Sequence, residues 1–530
     1  MARRVLLSSV FKPFGVDSIY GRKESRIELY HNQLTKSQGI FSMRSFMDSF
    51  GLHAIANNID TPATVLDYPS LPRFVREVKK GYDIVGIGAI VPNFQKVKKM
   101  VELVREHAPR SKVVLGGFCA VVPDIEKMLK VDHVCVGEGI SFMRSLLGLS
   151  PEFVFKNPDV FNRDREILGV PLPGSRTPHV VVGLGCSYGC DFCSPSHFFG
   201  RRHIRFFRSG RSLFQEVTRV TRLYRSDTVG LIGDDNFLLD AGRAEEFRQC
   251  VVDSGRILNL FIFGSADRVR DFGVERLAEM GVSLIWIGRE SSLSQYPKNE
   301  KVDLPALVAE LHQYGIRVIL SSILLLDEHT RDNIEADIDD HLACQPVFSQ
   351  FSFYAPMPGT PLYERLSAAR KIMTAIPFEE WHAFKQPWFI HPHFDLKEAE
   401  KIQEHAYRRD FEELGPSLAR FIEVEYQGWE NLSNSSKPHL VARAKAIAAR
   451  MTRYRQLLLA VFYLLPPGSG RAKVAGVLSR VESSFGRRTA VDRAVAGGLY
   501  LTGRFREIRS RCFGDTLQPR TRVVYYNGRR

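Results

Sequence analysis

Short apolar runs alternate with helical patterns along the first 150 residues. Val5–Val10, His53–Ala56, Thr64–Asp67, Asp83–Ala89, Val113–Leu115 and His133–Val136 read as strands, and the stretches near 70–80, 93–108 and 123–130 repeat apolar positions at helical spacing. This alternation predicts an α/β fold, a doubly wound parallel sheet whose ligands sit at the carboxyl ends of its strands. Those ends carry Gly88, Gly116-Gly117 and Gly137-Glu138-Gly139. Glycine there lets a bulky group approach the backbone, although each one alone is equally a turn.

Pro171-Leu172-Pro173-Gly174-Ser175 reads as a linker. Beyond it the alternation restarts and repeats six times. His179–Leu184, Thr228–Ile232, Leu260–Phe263, Val282–Ile287, Arg317–Leu325 and Ser349–Tyr354 are the strands, with helical patterns near 210–225, 241–256, 270–280, 301–314 and 328–343 between them. Six such units predict a partial or full parallel barrel with its chemistry at the carboxyl ends of the strands. From about residue 437 the pattern is helical and basic. Leu440, Ala444, Ile447, Met451, Tyr454 and Leu458 recur at spacings of three and four, and Arg443, Lys445, Arg450, Arg453 and Arg455 mostly fill the gaps. The apolar run Leu457–Leu465 stops at Pro466-Pro467, too short to cross a bilayer. The expected divisions are 1–165, 176–375 and a mostly helical, basic 376–530.

Charge sharpens this division. Residues 437–530 hold 20 Lys/Arg against 4 Asp/Glu, whereas the rest of the chain holds 53 against 55. The whole positive excess thus sits on the last segment. It points to an anionic surface, lipid headgroups or nucleic acid, or to a solvated helical face. Of eight cysteines, three fall within eight positions and the others are scattered. That is no disulfide framework; it fits a reduced cytoplasm and one metal site. The opening MARRVLLSSVFKPFG lacks a small-residue cleavage site and reads as a first strand. The expected location is cytoplasmic, with peripheral contact on the inner face of the membrane through 437–530.

The chemistry concentrates after the first strand of the second array. There stands Gly183-Leu184-Gly185-Cys186-Ser187-Tyr188-Gly189-Cys190-Asp191-Phe192-Cys193. Three soft thiolates on a loop at a strand end can hold three corners of an iron–sulfur cube and leave one iron open. The rival is a zinc site completed by His197, but no second Cys/His couple lies nearby.

The Cys-x3-Cys-x2-Cys spacing, with an aromatic residue before the last cysteine, resembles the signature of radical S-adenosylmethionine (SAM) enzymes. That family's fold is a partial (β/α)6 barrel. The resemblance implies a [4Fe–4S] cluster on Cys186, Cys190 and Cys193, with SAM chelating the open iron and yielding a radical that abstracts hydrogen from carbon. It implies SAM contacts at Gly233, Asp234 and Asp235, a variant of the family's Gly-Gly-Glu element, and at Glu290 and Ser291, in a Gly-x-Glu-Ser-like stretch. It also implies an electron donor such as flavodoxin or ferredoxin. Ala355-Pro356-Met357-Pro358-Gly359-Thr360-Pro361 resembles a turn common in members that carry a cobalamin domain.

The first domain is similar to the Rossmann-like cobalamin-binding domain that precedes many such barrels. Gly88, Gly116, Gly117, Gly137 and Glu138 are the implied cobalamin contacts. The Asp-x-His-x-x-Gly element that ligates cobalt elsewhere is absent, since His133 follows Asp132 directly. Together these features imply a cobalamin-dependent methyltransferase acting on an unactivated carbon. The substrate is a small molecule or a membrane lipid such as a hopanoid. The alternatives are a cyclase or oxidoreductase with the same cofactors, or an RNA-modifying radical SAM enzyme. No residue is assigned as catalytic from sequence.

Overall fold

The computed structural model describes residues 3–22, 34–42, 44–172, 176–294, 296–299, 301–514 and 517–528. Its strands are β1 (Val5–Ser9), β2 (Arg44–Met47), β3 (Ala63–Asp67), β4 (Ile84–Gly88), β5 (Lys112–Gly116), β6 (His133–Cys135), β7 (Val160–Ile167) and β8 (Val170–Leu172). They continue with β9 (Thr177–Gly185), β10 (Ile204–Arg205), β11 (Thr228–Asp234), β12 (Asn259–Phe263), β13 (Val282–Glu290), β14 (Arg317–Leu324), β15 (Phe348–Phe353) and β16 (Arg522–Tyr526).

Two sheets result. The first runs β16-β3-β1-β4-β5-β6, parallel except for β16. Without β16 this is the 2-1-3-4-5 order of doubly wound folds, with ligands expected beyond the carboxyl ends of the strands. Every residue of β1 and β3 is buried, as expected for a parallel sheet covered on both faces. The second sheet joins β9, β11, β12, β13, β14 and β15 in parallel, and β7 and β2 extend it antiparallel beyond β9. β9 and β15 do not pair with each other, so the six parallel strands form an open, partial barrel. The α/β class and both layers are as the sequence pattern predicts.

Four readings need correction. His53–Ala56 is not a strand but the middle of the helix Phe50–Asn58, whose buried side carries His53, Ala54 and Ala56. Of the supposed linker Pro171–Ser175, Pro171 and Leu172 end the strand Val170–Leu172, which pairs back onto β7 as a hairpin, and Pro173, Gly174 and Ser175 lie outside the described residues. The sheets also cross the expected divisions. β2, within 1–165, belongs to the barrel sheet, and β16, within 376–530, completes the first sheet.

The fourth correction concerns the basic helix. Residues Pro438–Leu464 form one helix, but its apolar side is already occupied. Leu440, Ala444, Ile447, Met451, Leu458, Val461 and Leu464 are buried in the same core as the barrel strands. Three of its four arginines are engaged as well. Arg443 donates to the carbonyls of Leu258 and Val282 at 3.2 and 2.6 Å, Arg450 pairs with Glu425 at 2.9 Å, and Arg455 with Asp492 at 2.6 Å. An apolar face buried against protein is not available to lipid. Among the described residues no helix is long and apolar enough to cross a membrane.

Candidate active site

β9 delivers the cysteine motif. Its last residue, Gly185, has φ 75°, and a Cβ there would lie 2.6 Å from the Arg202 carbonyl oxygen. Glycine is therefore required where the chain leaves the sheet. Hydrogen bonds then close the loop. Ser196 Oγ donates to the Cys186 carbonyl at 2.7 Å and accepts from Gly189 N–H at 3.2 Å, while Cys193 N–H donates to the Cys190 carbonyl at 3.0 Å. Cys193 immediately precedes the short helix Ser194–Phe198.

Burial pushes all three thiols up, Cys193 to about 12, so unaided they are poor thiolates. A coordinated metal reverses that balance by deprotonating its thiols. Sulfur ligands of one zinc ion stand about 3.8 Å apart, from a Zn–S distance of about 2.3 Å and tetrahedral angles. Among the described residues no three Cys, His, Asp or Glu side chains gather around a common point for a single ion. His197, the expected fourth zinc ligand, has Nε2 3.1 Å from the Cys190 carbonyl oxygen. Three thiols on one closed loop are the donor set of an iron–sulfur cube, one to each of three irons.

The expected SAM residues fall at the ends of the neighbouring strands, in unequal situations. Gly233 has φ 84°, and a Cβ on it would lie 2.5 Å from the Gly183 carbonyl oxygen, so it lets β11 press against β9. Asp234 is fully buried between Arg243, at 2.7 Å, and His203, at 2.9 Å. Burial opposes its ionisation, but these two partners outweigh that and hold its carboxyl below the usual range. Asp235 is the reverse. Burial and the adjacent Asp234 charge push its carboxyl up to about 7, and it lies within electrostatic reach of Cys186 and Cys193. Of the pair, Asp235 is the one near the cysteines that has no side-chain ion pair of its own among the described residues.

Glu290 has φ 62° and is ion-paired with Lys298. Burial works against the Lys298 charge, yet Glu290 and the thiols of Cys190 and Cys193 outweigh it and raise its pKa. Lys298 therefore joins the site, although a lone lysine in a loop carries no sequence signal. Ser291 faces elsewhere. Its hydroxyl donates to Asp337 at 2.9 Å, beside Arg289 at 2.8 Å and His329 at 3.2 Å on the same carboxylate. Asp191 accepts from the phenols of Tyr354 at 2.6 Å and Tyr296 at 2.9 Å, which braces the motif from outside. Trp381 and Trp388 stack at 5.5 Å within the core of the first domain. His391 is buried, bonded to the Leu326 carbonyl at 3.0 Å, and His393 is exposed.

On the first domain, Gly88, Gly116 and Gly117 stand at the ends of β4 and β5, and Gly137 follows β6. Gly117 has φ 78°, and a Cβ would meet the Ala89 carbonyl oxygen at 2.5 Å. Gly116 is different: a Cβ there would meet only the Cys135 Cβ, at 3.9 Å, so its surroundings are open. Glu138 caps the helix Gly139–Leu147, accepting from Ile140 N–H and Ser141 N–H at 2.5 and 2.8 Å. These strand ends face the barrel. The rings of Phe118 and Phe198 meet edge-on at 4.9 Å, and a Cβ on Gly359 would lie 3.3 Å from the Val121 side chain. The open backbone at Gly116 fits a flat cofactor laid over the strand ends.

An open six-stranded barrel with a three-cysteine loop after its first strand, facing a doubly wound sheet, is the fold that the resemblance to radical SAM enzymes with a cobalamin domain implies. Comparison with known proteins gives the particulars. The fold is similar to that of the radical SAM methyltransferase TsrM from Kitasatospora setae, solved with tryptophan substrate and the SAM analogue aza-SAM (TM-score 0.53, 14% identity, 78% of this chain and 89% of that one). An uncharacterised methyltransferase of Pyrococcus horikoshii is 22% identical over 398 residues, 66% of this chain and 82% of the relative. The anaerobic magnesium-protoporphyrin IX monomethyl ester cyclase of Cereibacter sphaeroides is 23% identical over 58% of this chain and 56% of its own. The bacteriochlorophyllide d C-12(1)-methyltransferase of Chlorobaculum tepidum is 22% identical over 62% and 75%. No family model matches the chain.

Proposed function

We propose that this chain is a cobalamin-dependent radical SAM methyltransferase that adds a methyl group to an unactivated carbon of a small molecule held between the two facing sheets. One observation carries the reading: the cysteine loop opposes the glycine-edged strand ends, with Phe198, five residues after Cys193, against Phe118, two residues after Gly116. When bound, the cluster with SAM supplies hydrogen abstraction at carbon, and the corrinoid supplies the methyl group. The chain's own residues hold the parts. Cys186, Cys190 and Cys193 would ligate the cluster, and Lys298 would offset its negative thiolates. Asp235 would accept from the SAM ammonium, a charge-assisted bond in a partly dry site. Glu290, at the end of β13, would serve the ribose. Gly116 would leave the corrinoid room. Phe118, Phe198 and Phe192 would keep water from the space between.

A hopanoid-like lipid is the finer form of this reading. It rests on domain order and on the basic C-terminal segment. The cyclase relative favours a second reading, in which the same cofactors drive oxidation or ring closure. The RNA-modifying alternative loses weight because three of the four arginines of Pro438–Leu464 bind protein groups. The experiment is anaerobic reconstitution with iron, sulfide and a corrinoid, followed by metal and corrinoid assay. Product mass after turnover with SAM then distinguishes the readings. Methyl transfer adds one CH2 unit, whereas cyclisation or oxidation does not. Stoichiometric zinc in place of iron and sulfide would sink the proposal.

A further inference from the structure

The C-terminal segment does present an unpartnered face, on a different helix from the one the sequence singles out. Residues Ala490–Phe513 form a helix whose inner side, with Ala496 and Gly503, packs on the core. Its outer side is apolar. Val491, Leu501, Phe505, Ile508 and Phe513 are 67%, 69%, 66%, 62% and 75% exposed, and Val495 is 40% exposed. Positions 491, 495, 498, 501, 505, 508 and 512 follow one another at spacings of three and four, so they form one stripe along the helix. Gly498 and Cys512 complete it.

Arginines flank that stripe. Arg493, Arg504 and Arg511 are separated by eleven and seven residues, three turns and two, and so lie on one side. Arg509, four residues after Phe505 and three before Cys512, lies within the C-terminal end of the stripe. Arg493, Arg509 and the exposed Arg487 have no acidic partner among the described residues. At the end of the stripe a cavity of about 350 Å³ is lined by Arg44, Arg506, Arg509 and Arg511, together with Glu166 and Glu507. The acids of the helix are already used. Asp492 is buried against Arg455, and Glu507 is held by Arg504 and Arg511.

We propose that this outer face docks the protein on an anionic phospholipid bilayer, with Leu501, Phe505 and Ile508 at the acyl boundary and the arginines among the headgroup phosphates. The charge pattern selects this occupant. An apolar stripe rimmed by arginine is the form of a helix that lies in the interface plane. A second copy of the chain would set one arginine flank against another, with no free carboxylate on the helix to meet it. Nucleic acid would find phosphate partners, but an aliphatic centre in place of a stacking platform. The inference uses no residue of the cysteine loop, so it stands or falls apart from the methyltransferase reading.

The test is flotation of the full chain with phosphatidylcholine vesicles and with vesicles containing phosphatidylglycerol. The wild type floats with the anionic vesicles and at least ten-fold less with the neutral ones. Phe505→Asp with Ile508→Asp, and separately Arg493→Glu with Arg509→Glu, lower flotation at least ten-fold. Phe505→Trp gives a local readout, an emission blue shift on adding anionic vesicles only. A wild type that stays in the soluble fraction, a Phe505→Trp variant whose emission does not shift, or flotation indifferent to both double variants would overturn the proposal. So would a dimer in light scattering that Phe505→Asp splits into monomers, or RNA that binds this face in place of vesicles.

Discussion

Two adjacent aspartates at the end of β11 make opposite predictions. Among the described residues Asp234 is the sole anionic partner of Arg243, whose Nε and Nη1 have no hydrogen-bond partner there, and both side chains are fully buried. Removing one member of such a pair strands the other charge in the core, which costs about 3–5 kcal/mol. Asp234→Ala should therefore destabilise by that amount at neutral pH. Asp235 has no such partner, and its folded carboxyl is held at about 7 against 3.8 for the ordinary group. The folded state thus binds its proton more tightly than the unfolded state does. Stability from this group is full below about pH 4 and is lost as pH rises through about 7. Asp235→Asn removes the titration, so the variant gains on the wild type as pH rises.

The size of the gain follows from the two values. Between about pH 5 and about pH 8 the wild type loses about 2.5 kcal/mol at this one carboxyl relative to the Asn variant. Guanidinium unfolding of the cluster-free chain, followed by far-UV circular dichroism at both pH values, measures the difference. The difference between variant and wild type cancels every other titrating group. Asp234→Ala should unfold early at both pH values, whereas Asp235→Asn should match or exceed the wild type at the higher one. If Asp235→Asn tracks Asp234→Ala, or if its advantage does not grow with pH, the division of the pair into a structural and a ligand-facing carboxylate is wrong.

Three further outcomes are expected. Cys190→Ala should lower iron and sulfide to background after anaerobic reconstitution, while Cys119→Ala, in the core of the first domain, should leave them unchanged. Leu458→Ala should destabilise by about 2–5 kcal/mol, read as a lower melting temperature, because Leu458 is fully buried in the barrel core; a loose tail predicts no change. Gly117→Ala should cost more than about 1 kcal/mol, since φ there is 78° and the new methyl would meet the Ala89 carbonyl. The same variant should also retain less corrinoid on gel filtration after reconstitution.

The parallel strands of both sheets were legible because a parallel sheet buried on two faces writes itself as unbroken apolar runs, whereas the antiparallel β2, β7, β8, β10 and β16 were not read as strands. The cysteine spacing was legible because a cluster loop is local in sequence. Other features were not. His53–Ala56 is a four-residue apolar run, and periodicity over so few residues does not separate a strand from a buried helix. The run Arg522–Tyr526 has the β-branched and aromatic content of a strand, but the basic composition around it drew the reading toward a helical tail. Amphipathicity shows that Pro438–Leu464 needs an apolar partner without saying whether that partner is protein or lipid. The pairing of Lys298 with Glu290, and of Asp337 with Arg289 and Ser291, joins residues from different loops and helices, and no single stretch of sequence records it.

The C-terminal segment then acquires a mechanical role that its charge alone would not suggest. Pro438–Leu464 lies on the barrel, Arg506 of the outer helix reaches Glu166 on β7 at 2.6 Å, and β16 closes the edge of the first sheet beside β3. From β16, Arg522 extends to Asp48, which also takes Arg163 of β7 at 2.6 Å. One stretch of chain is thus bonded in turn to the barrel, to its antiparallel extension and to the facing sheet. Reactive groups held by separate sheets can react together only if those sheets keep a fixed separation, because a misplacement of about 1 Å costs on the order of 100-fold in rate. A flexible hinge between the two sheets would not hold that tolerance, whereas a strand of one sheet ion-paired through Arg522 to Asp48 beside the other does. The positive charge of the segment is, on this view, partly the consequence of bracing: arginines reach backbone carbonyls and buried carboxylates on both sides of the joint, and the ones left over line the outer face.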